Sequence, residues 1–153
     1  MIELRKVTAD EFFSAPNVDA VLGAYAQESS IVGLTRPRAD KATYLKLAAA
    51  NMFDAIGAFD GDDLLGFIVT LTTPLPHYSE KVASVESFFV LKEYRRLGLG
   101  AKLMSAAKVA ATAKGAKGLL ISAPIGSQLA AVLEKSKSFR ETNRVFFTPL
   151  VPV

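Results

Sequence analysis

The chain has 153 residues, enough for one domain with a sizeable core and too few for two domains of ordinary size. Half of it is apolar and 22% is charged, which excludes disordered and fibrous classes, and 18 basic against 15 acidic residues leave a formal charge of only +3. The basic residues are scattered instead of forming a track with interleaved aromatics, which argues against a nucleic-acid partner.

Cysteine is absent and His77 is the single histidine, so disulfides, thiolate or histidine-rich metal sites and a cysteine nucleophile are excluded, and no metal is expected. No run approaches the roughly 18 apolar residues of a membrane span, and residues 1–10 lack the apolar core of a signal peptide. The expected location is the cytoplasm, with no membrane partner.

In chain order, Ile2, Leu4 and Val7 alternate with Glu3, Arg5 and Lys6 and predict a half-buried first strand, after which Thr8 or Asp10 can act as a cap. Val18, Val21, Leu22 and Tyr25 recur at helical spacing and predict a helix over residues 17–31, just after Pro16. Tyr44, Leu45, Leu47 and Ala48 predict a second over 40–52. Residues 55–59 and 64–72 are β-prone runs joined by Asp60, Gly61, Asp62 and Asp63, the composition of a hairpin turn. Pro74 and Pro76 close the second run, and beyond the loop 74–81 a long strand is predicted over 82–91. Residues 98–113 form a helix with Leu99, Leu103, Ala106, Ala107 and Ala110 on one face, ended by Gly115. A short buried strand follows over 119–123, then a fourth helix capped by Ser127, then one or two terminal strands over 139–150. This order predicts an α/β or α+β single domain over residues 1–153 with one central sheet.

The segment Val90-Leu91-Lys92-Glu93-Tyr94-Arg95-Arg96-Leu97-Gly98-Leu99-Gly100 joins a strand to a helix. Glycines allow a ligand close to the backbone, and a helix start offers unpaired N–H groups and a positive dipole end to an anion such as a pyrophosphate. A phosphate-binding P-loop fails because Ala101 separates Gly100 from Lys102. A dinucleotide fingerprint fails because Leu103 stands where the third glycine belongs.

Arg95, Gly98 and Gly100 match the Gln/Arg-x-x-Gly-x-Gly/Ala signature of the GNAT N-acetyltransferase superfamily, and Val90 and the Tyr94-Arg95 step occupy further positions common in it. The element order resembles that family over nearly the whole chain. The resemblance implies a mixed, mostly antiparallel twisted sheet flanked by about four helices, and acetyl-CoA as cosubstrate. By position, the backbone of Phe88, Phe89 and Val90 would hold the pantetheine arm. Arg95 would complete the signature, and the N–H groups of Arg96, Leu97, Gly98, Leu99, Gly100 and Ala101 would hold the pyrophosphate. Ser127 lies where many members place a cofactor-contacting Asn. The chain departs from the family twice. Glu134 stands where a general-acid Tyr is common, and the tail after Phe139 is short for the usual terminal hairpin. One strand is thus either trimmed or supplied by a second subunit, which would make a homodimer.

Without a thiol nucleophile, direct attack of a primary amine on the thioester in a ternary complex is the simplest chemistry. Glu86 is the first candidate for the base, placed by strand alternation on the face of Phe88 and Val90; His77 and Tyr78, in the preceding loop, come second. In this fold the acceptor, a small molecule or a protein amine, would meet residues 27–38 and 74–81. These offer Glu28 and Glu80 to a cation, and Arg36 and Arg38 to an acid. The alternative is a CoA-binding sensor or regulatory module without turnover.

Overall fold

The structure, a computed structural model, describes residues 1–34 and 37–151. Five strands lie in the order β1-β2-β3-β4-β5: β1 is Ile2–Val7, β2 Phe53–Asp60, β3 Asp63–Leu75, β4 Glu80–Val90 and β5 Leu119–Leu120. Neighbours are antiparallel except β4 and β5, which run parallel. The helices are α1 (Ala9–Phe13), α2 (Val18–Ser29), α3 (Lys41–Ala49), α4 (Leu99–Ala113) and α5 (Gln128–Lys135), and a 3₁₀ helix spans Lys92–Leu97.

Strand alternation sorts the core into two clusters. Ala55, Phe67, Val69 and Phe89 point to one face and pack with Phe12, Val18 and Val21 of the first two helices. Ile56, Ala58, Ile68 and Val90 point to the other and meet Leu99, Leu103 and Ala107 of α4. The three-layer arrangement follows from burying one stripe of each helix against a sheet that is apolar on both faces. Gly66 lets β3 and β4 close up, since a Cβ there would lie 2.9 Å from the Phe89 carbonyl oxygen.

Helix α1 is too short for periodicity to reveal. It exists because Thr8 and Glu11 form a reciprocal capping box: Thr8 Oγ1 accepts from Glu11 N–H at 3.1 Å and Glu11 Oε2 accepts from Thr8 N–H at 2.8 Å. Asn17, at the start of α2, uses its side-chain amide instead to bond both the N–H and the C=O of Leu64, at 2.8 and 2.9 Å. That bond fastens the helix to the β2–β3 hairpin.

Three sequence expectations are corrected. The β3–β4 hairpin is longer than the breaker residues suggested, because β2 pairs only as far back as Phe53 with Leu71, so Pro74 has a ladder partner, Lys81, on one side alone. The strand expected over 119–123 shrinks to two residues. The terminal strands expected over 139–150 do not form among the described residues: Val145, Phe146 and Phe147 favour strand, but they pair with no strand of the sheet, and propensity alone does not hold one. Val145, Phe146, Leu150 and Val151 are exposed, while Phe147 and Pro149 cross the loop after α2 near Gly33.

Candidate active site

Strand β4 carries the site because its two edges end differently. Against β3 it is paired along its length with one irregularity: Val69 faces Ser87 and Thr70 faces Val85, so Glu86 is an extra residue in a β-bulge. Against β5 it pairs only through Ala83 with Leu119 and Ser84 with Leu120. The backbone of residues 85–90 therefore has no strand partner on that side among the described residues, leaving an unpaired edge on which the Val90 carbonyl alone is taken up, by Arg95 Nε, among the hydrogen bonds of the described residues.

The bulge changes the side-chain assignment. Simple alternation would put Glu86 with Phe88 and Val90, which belong to the α4-side cluster. The extra residue rotates it instead onto the opposite face, where Glu86 and Ser87 line a cavity of about 720 Å³ with Phe67 and Val69. Two hydrogen bonds aim the carboxylate: Oε1 accepts from the Tyr44 hydroxyl at 2.8 Å and Oε2 from Ser87 Oγ at 2.8 Å. Each oxygen keeps a lone pair for a further donor.

Burial, then the neighbouring Glu86 charge and its hydrogen bond, push the Tyr44 phenol well above its ordinary value. Burial likewise raises Tyr25, partly opposed by a hydrogen bond with Ser29. Tyr44 is thus a protonated donor to Glu86 at working pH and is no base. Sequence reading missed it. The contact joins residues 42 apart, and the only prior sign was a tyrosine on the inward stripe of α3.

The strand-to-helix segment differs in detail from an open loop. Residues 92–97 wind into the 3₁₀ helix, whose interior N–H groups bond three residues back, and Gly98 turns the chain with φ +72° before α4 begins. The first α4 bond runs from Lys102 N–H to Gly98 O at 3.2 Å. The N–H groups of Leu99, Gly100 and Ala101 consequently have no helical partner and face the anion-attracting end of the dipole. Leu99's side chain is buried in the core, so only its backbone is offered. A Cβ on Gly100 would touch only the Phe88 ring, at 3.5 Å, so this glycine keeps the helix start open beside β4.

Arg95 is engaged internally. Its Nε donates to the Val90 carbonyl at 2.8 Å, its Nη2 to both Glu28 oxygens at 3.0 and 2.8 Å, and its guanidinium lies 5.3 Å from the centroid of the Phe89 ring. It locks the end of β4 to α2 and takes up Glu28. Arg96 and Leu97 are exposed, and Ala101 shows its backbone at the exposed helix start. Ser127 caps α5, its Oγ accepting from Ala130 N–H at 3.1 Å, and Glu134 is exposed on that helix.

The remaining acceptor-side candidates separate. Arg38 lines the cavity; Glu80 opens β4 at its exposed end, and His77 and Tyr78 pair their rings 4.2 Å apart at the hairpin tip, outside the cavity lining. Arg36 lies outside the described residues. Asp19, not anticipated from the sequence, joins Arg38 and Glu86 as the charged groups of the wall among the described residues. No group of three or more metal-ligating side chains occurs among the described residues, and no helix there is long and apolar enough to cross a membrane.

The fold, a mixed sheet flanked by helices, is shared with solved acetyltransferases. One is a ribosomal-protein-alanine N-acetyltransferase from Brucella melitensis biovar Abortus 2308, 17% identical with TM-score 0.75, matched over 100% of this chain and 99% of that one. Another is an aminoglycoside acetyltransferase from an uncultured soil metagenomic sample in complex with trehalose, 16% identical with TM-score 0.76, over 98% and 97%. A third, an aminoglycoside N-acetyltransferase in complex with CoA, is 16% identical with TM-score 0.67, over 97% and 93%. No curated protein sequence matches the chain. The chain belongs to the acetyltransferase (GNAT) family, whose model matches residues 19–136, and it is an acyltransferase enzyme.

Proposed function

We propose that the enzyme transfers the acetyl group of acetyl-CoA to a primary amine, with both bound at once. The observation that carries this is the bulge, which sets the Glu86 carboxylate in a cavity on one face of β4, next to the stretch whose open edge leads to the α4 N-terminus. In this reading the pantetheine arm runs along the backbone of Phe88, Phe89 and Val90, and the pyrophosphate sits on the N–H groups of Leu99, Gly100 and Ala101, with Gly98 shaping the turn. Arg96 and Lys102 add charge at the rim, while Arg95 acts as the brace that holds the segment. Ser127 presents its free hydroxyl proton to the cofactor while capping α5.

The chemistry balances without further reagents. Glu86 takes one proton from the ammonium, directly or through water, and the neutral nitrogen attacks the thioester carbonyl. A β4 backbone N–H stabilises the oxyanion. Attack forms the C–N bond; collapse breaks the C–S bond and releases CoA as thiolate, and the second nitrogen proton passes to that thiolate, directly or through water. With a thiol pKa near 8.5, about two units below an amine's, the thiolate departs without needing an acid at Glu134. Support for an amine acceptor comes from the related structures, whose proteins are described as acting on protein alanine or aminoglycosides.

Acetyl-CoA should raise the melting temperature by mass action. With an amine present, free thiol should appear in initial-rate lines that intersect as both substrates are varied. Gly100→Val should weaken that thermal shift by placing a branched side chain where the ligand approaches, with little internal clash. No shift at millimolar acetyl-CoA with folded protein would remove this reading, and parallel lines would replace direct attack with an acetylated intermediate.

The same reading includes a homodimer in which a second copy supplies the strand missing beyond β5. Its support is the short β5, the absence of strand over residues 136–151, and the exposed Val145 and Phe146. Sedimentation should return twice the chain mass at micromolar concentration, and Phe146→Lys should return a monomer. A monomeric wild type ends the dimer assignment and leaves a trimmed sheet.

A further inference from the structure

The cavity beside Glu86 has a composition that selects among amines, and this inference rests on the acetyl-transfer reading above. Its wall is built from six aromatic rings, Phe12, Phe13, Tyr25, Tyr44, Phe53 and Phe67, contributed by the first three helices and the sheet face opposite α4. These rings already fix one another: Phe12 and Phe67 meet edge-to-face with centroids 5.2 Å apart, Tyr25 and Phe67 at 5.6 Å, and Tyr44 and Phe53 at 5.8 Å. A wall so held is preformed and can receive a rigid apolar group without reordering.

Charge in the cavity is sparse. Among the described residues Asp19 and Glu86 are opposed by Arg38, an excess of one negative charge for an acceptor to neutralise. Glu86, an exposed carboxylate among the lining residues, keeps a lone pair free on each oxygen beside its bonds to Tyr44 and Ser87, so it can take a single ammonium beside the β4 edge. A second ammonium would find only Asp19, in a wall it shares with the repelling Arg38, a third would meet the aromatic lining with no carboxylate to pair with, and an array of sugar hydroxyls would lose water for rings. An amino-acid carboxylate would gain Arg38 but meet both acidic groups.

We propose that the acceptor is a monoamine carrying an aromatic or comparably bulky apolar body, held with its ammonium on Glu86 and its body against the rings of the first three helices. The cavity volume of about 720 Å³ accommodates such a molecule together with the acetyl-bearing end of the cosubstrate. The ammonium gives one proton to Glu86, the neutral nitrogen attacks the thioester carbonyl, the C–S bond breaks, and the second nitrogen proton ends on the departing sulfur, directly or through water, giving the N-acetyl amide and CoA.

Gly23 provides a test that does not touch the chemistry. It lies on α2 in the cavity wall, and a Cβ built there meets nothing within 4 Å. Gly23→Leu therefore adds volume to the cavity alone, and in a helix interior it favours folding. With wild-type protein, acetyl-CoA and a panel of 2-phenylethylamine, phenylalanine, spermidine and kanamycin, kcat/KM should be at least about tenfold higher for 2-phenylethylamine, on the scale of one apolar or charge mismatch. Gly23→Leu should raise its KM about tenfold or more while the acetyl-CoA thermal shift stays at the wild-type value.

A higher kcat/KM for spermidine, kanamycin or phenylalanine overturns the proposal, as does an unchanged KM in Gly23→Leu. Turnover of any of those three with none of 2-phenylethylamine refutes the acceptor class but leaves acetyl transfer standing. Absence of an acetyl-CoA thermal shift in the wild type refutes both, and so separates the failure of the general reading from that of this one.

Discussion

Glu86→Gln is expected to lower turnover by roughly 10²–10⁴-fold, the usual contribution of a positioned general base, while leaving the fold and the acetyl-CoA thermal shift in place. The substitution is close to isosteric, and the amide oxygen still accepts from either the Tyr44 hydroxyl or Ser87 Oγ, at 2.8 Å each in the wild type, though not from both oxygens as the carboxylate does. The defect should shrink as pH rises towards the amine pKa of about 10, because the acceptor then arrives neutral and a base has less to contribute. The same variant carries an internal check. Burial holds the Tyr44 phenol high, but the Glu86 charge and hydrogen bond add to the effect, so their removal should bring its alkaline titration down. A loss of rate that pH does not repair, accompanied by that titration shift, would mark Glu86 as a structural partner of Tyr44 and not as the base. Near-normal rates at every pH would move proton transfer to water.

Lys114→Met is expected to destabilise the fold by about 3–5 kcal/mol, because it removes one partner of a buried charge. The Asp54 carboxylate is fully buried, with Lys6 Nζ 2.6 Å from one oxygen and Lys114 Nζ 3.5 Å from the other. These contacts are ionic, without the directed geometry of hydrogen bonds. Lys114 does more than pair. At the C-terminal end of α4, where a cation suits the dipole, its Nζ also donates to the carbonyls of Asn51 and Phe53 at 3.1 Å each. It thus ties α4 to the turn entering β2, where Asn51 takes a positive φ of 57°. For a chain of this length the melting temperature should fall by roughly 10 °C. Urea unfolding at neutral pH measures the change directly, and a loss under about 1 kcal/mol would mean that the exposed Lys6 alone satisfies Asp54.

Much of the frame was legible because it depends on neighbours in sequence. The alternation of Ile2, Leu4 and Val7, the Asp-Gly turn after Asp60, and the Arg95, Gly98, Gly100 spacing each record local geometry. Thr8 and Glu11 also spelled a capping box, although the helix it starts is too short to show a period. What escaped depends on pairing between distant strands and helices. The bulge at Glu86 is a property of its register with Val69 and Thr70, so alternation along β4 alone turned the carboxylate to the wrong face. Spacing alone marks Arg95 as part of the signature, but not that its guanidinium is taken up by Glu28, 67 residues earlier. The apolar residues 145–147 have strand propensity but pair with no strand of the sheet, and propensity without a partner does not make a strand.

The two separate core clusters have a consequence for how such an enzyme can diversify. The cavity wall belongs to α1, α2 and α3 with one face of the sheet, whereas the helix start that faces the cosubstrate belongs to the cluster on the other face. Substitutions in layers that share no contacts combine almost additively. A lineage can therefore rework one layer, trading ring for chain or charge for hydroxyl, with little epistatic drag from the layer that handles the donor. The seam of β4, with its single extra residue, is where both layers must agree, and is the part of the chain with the least room to drift.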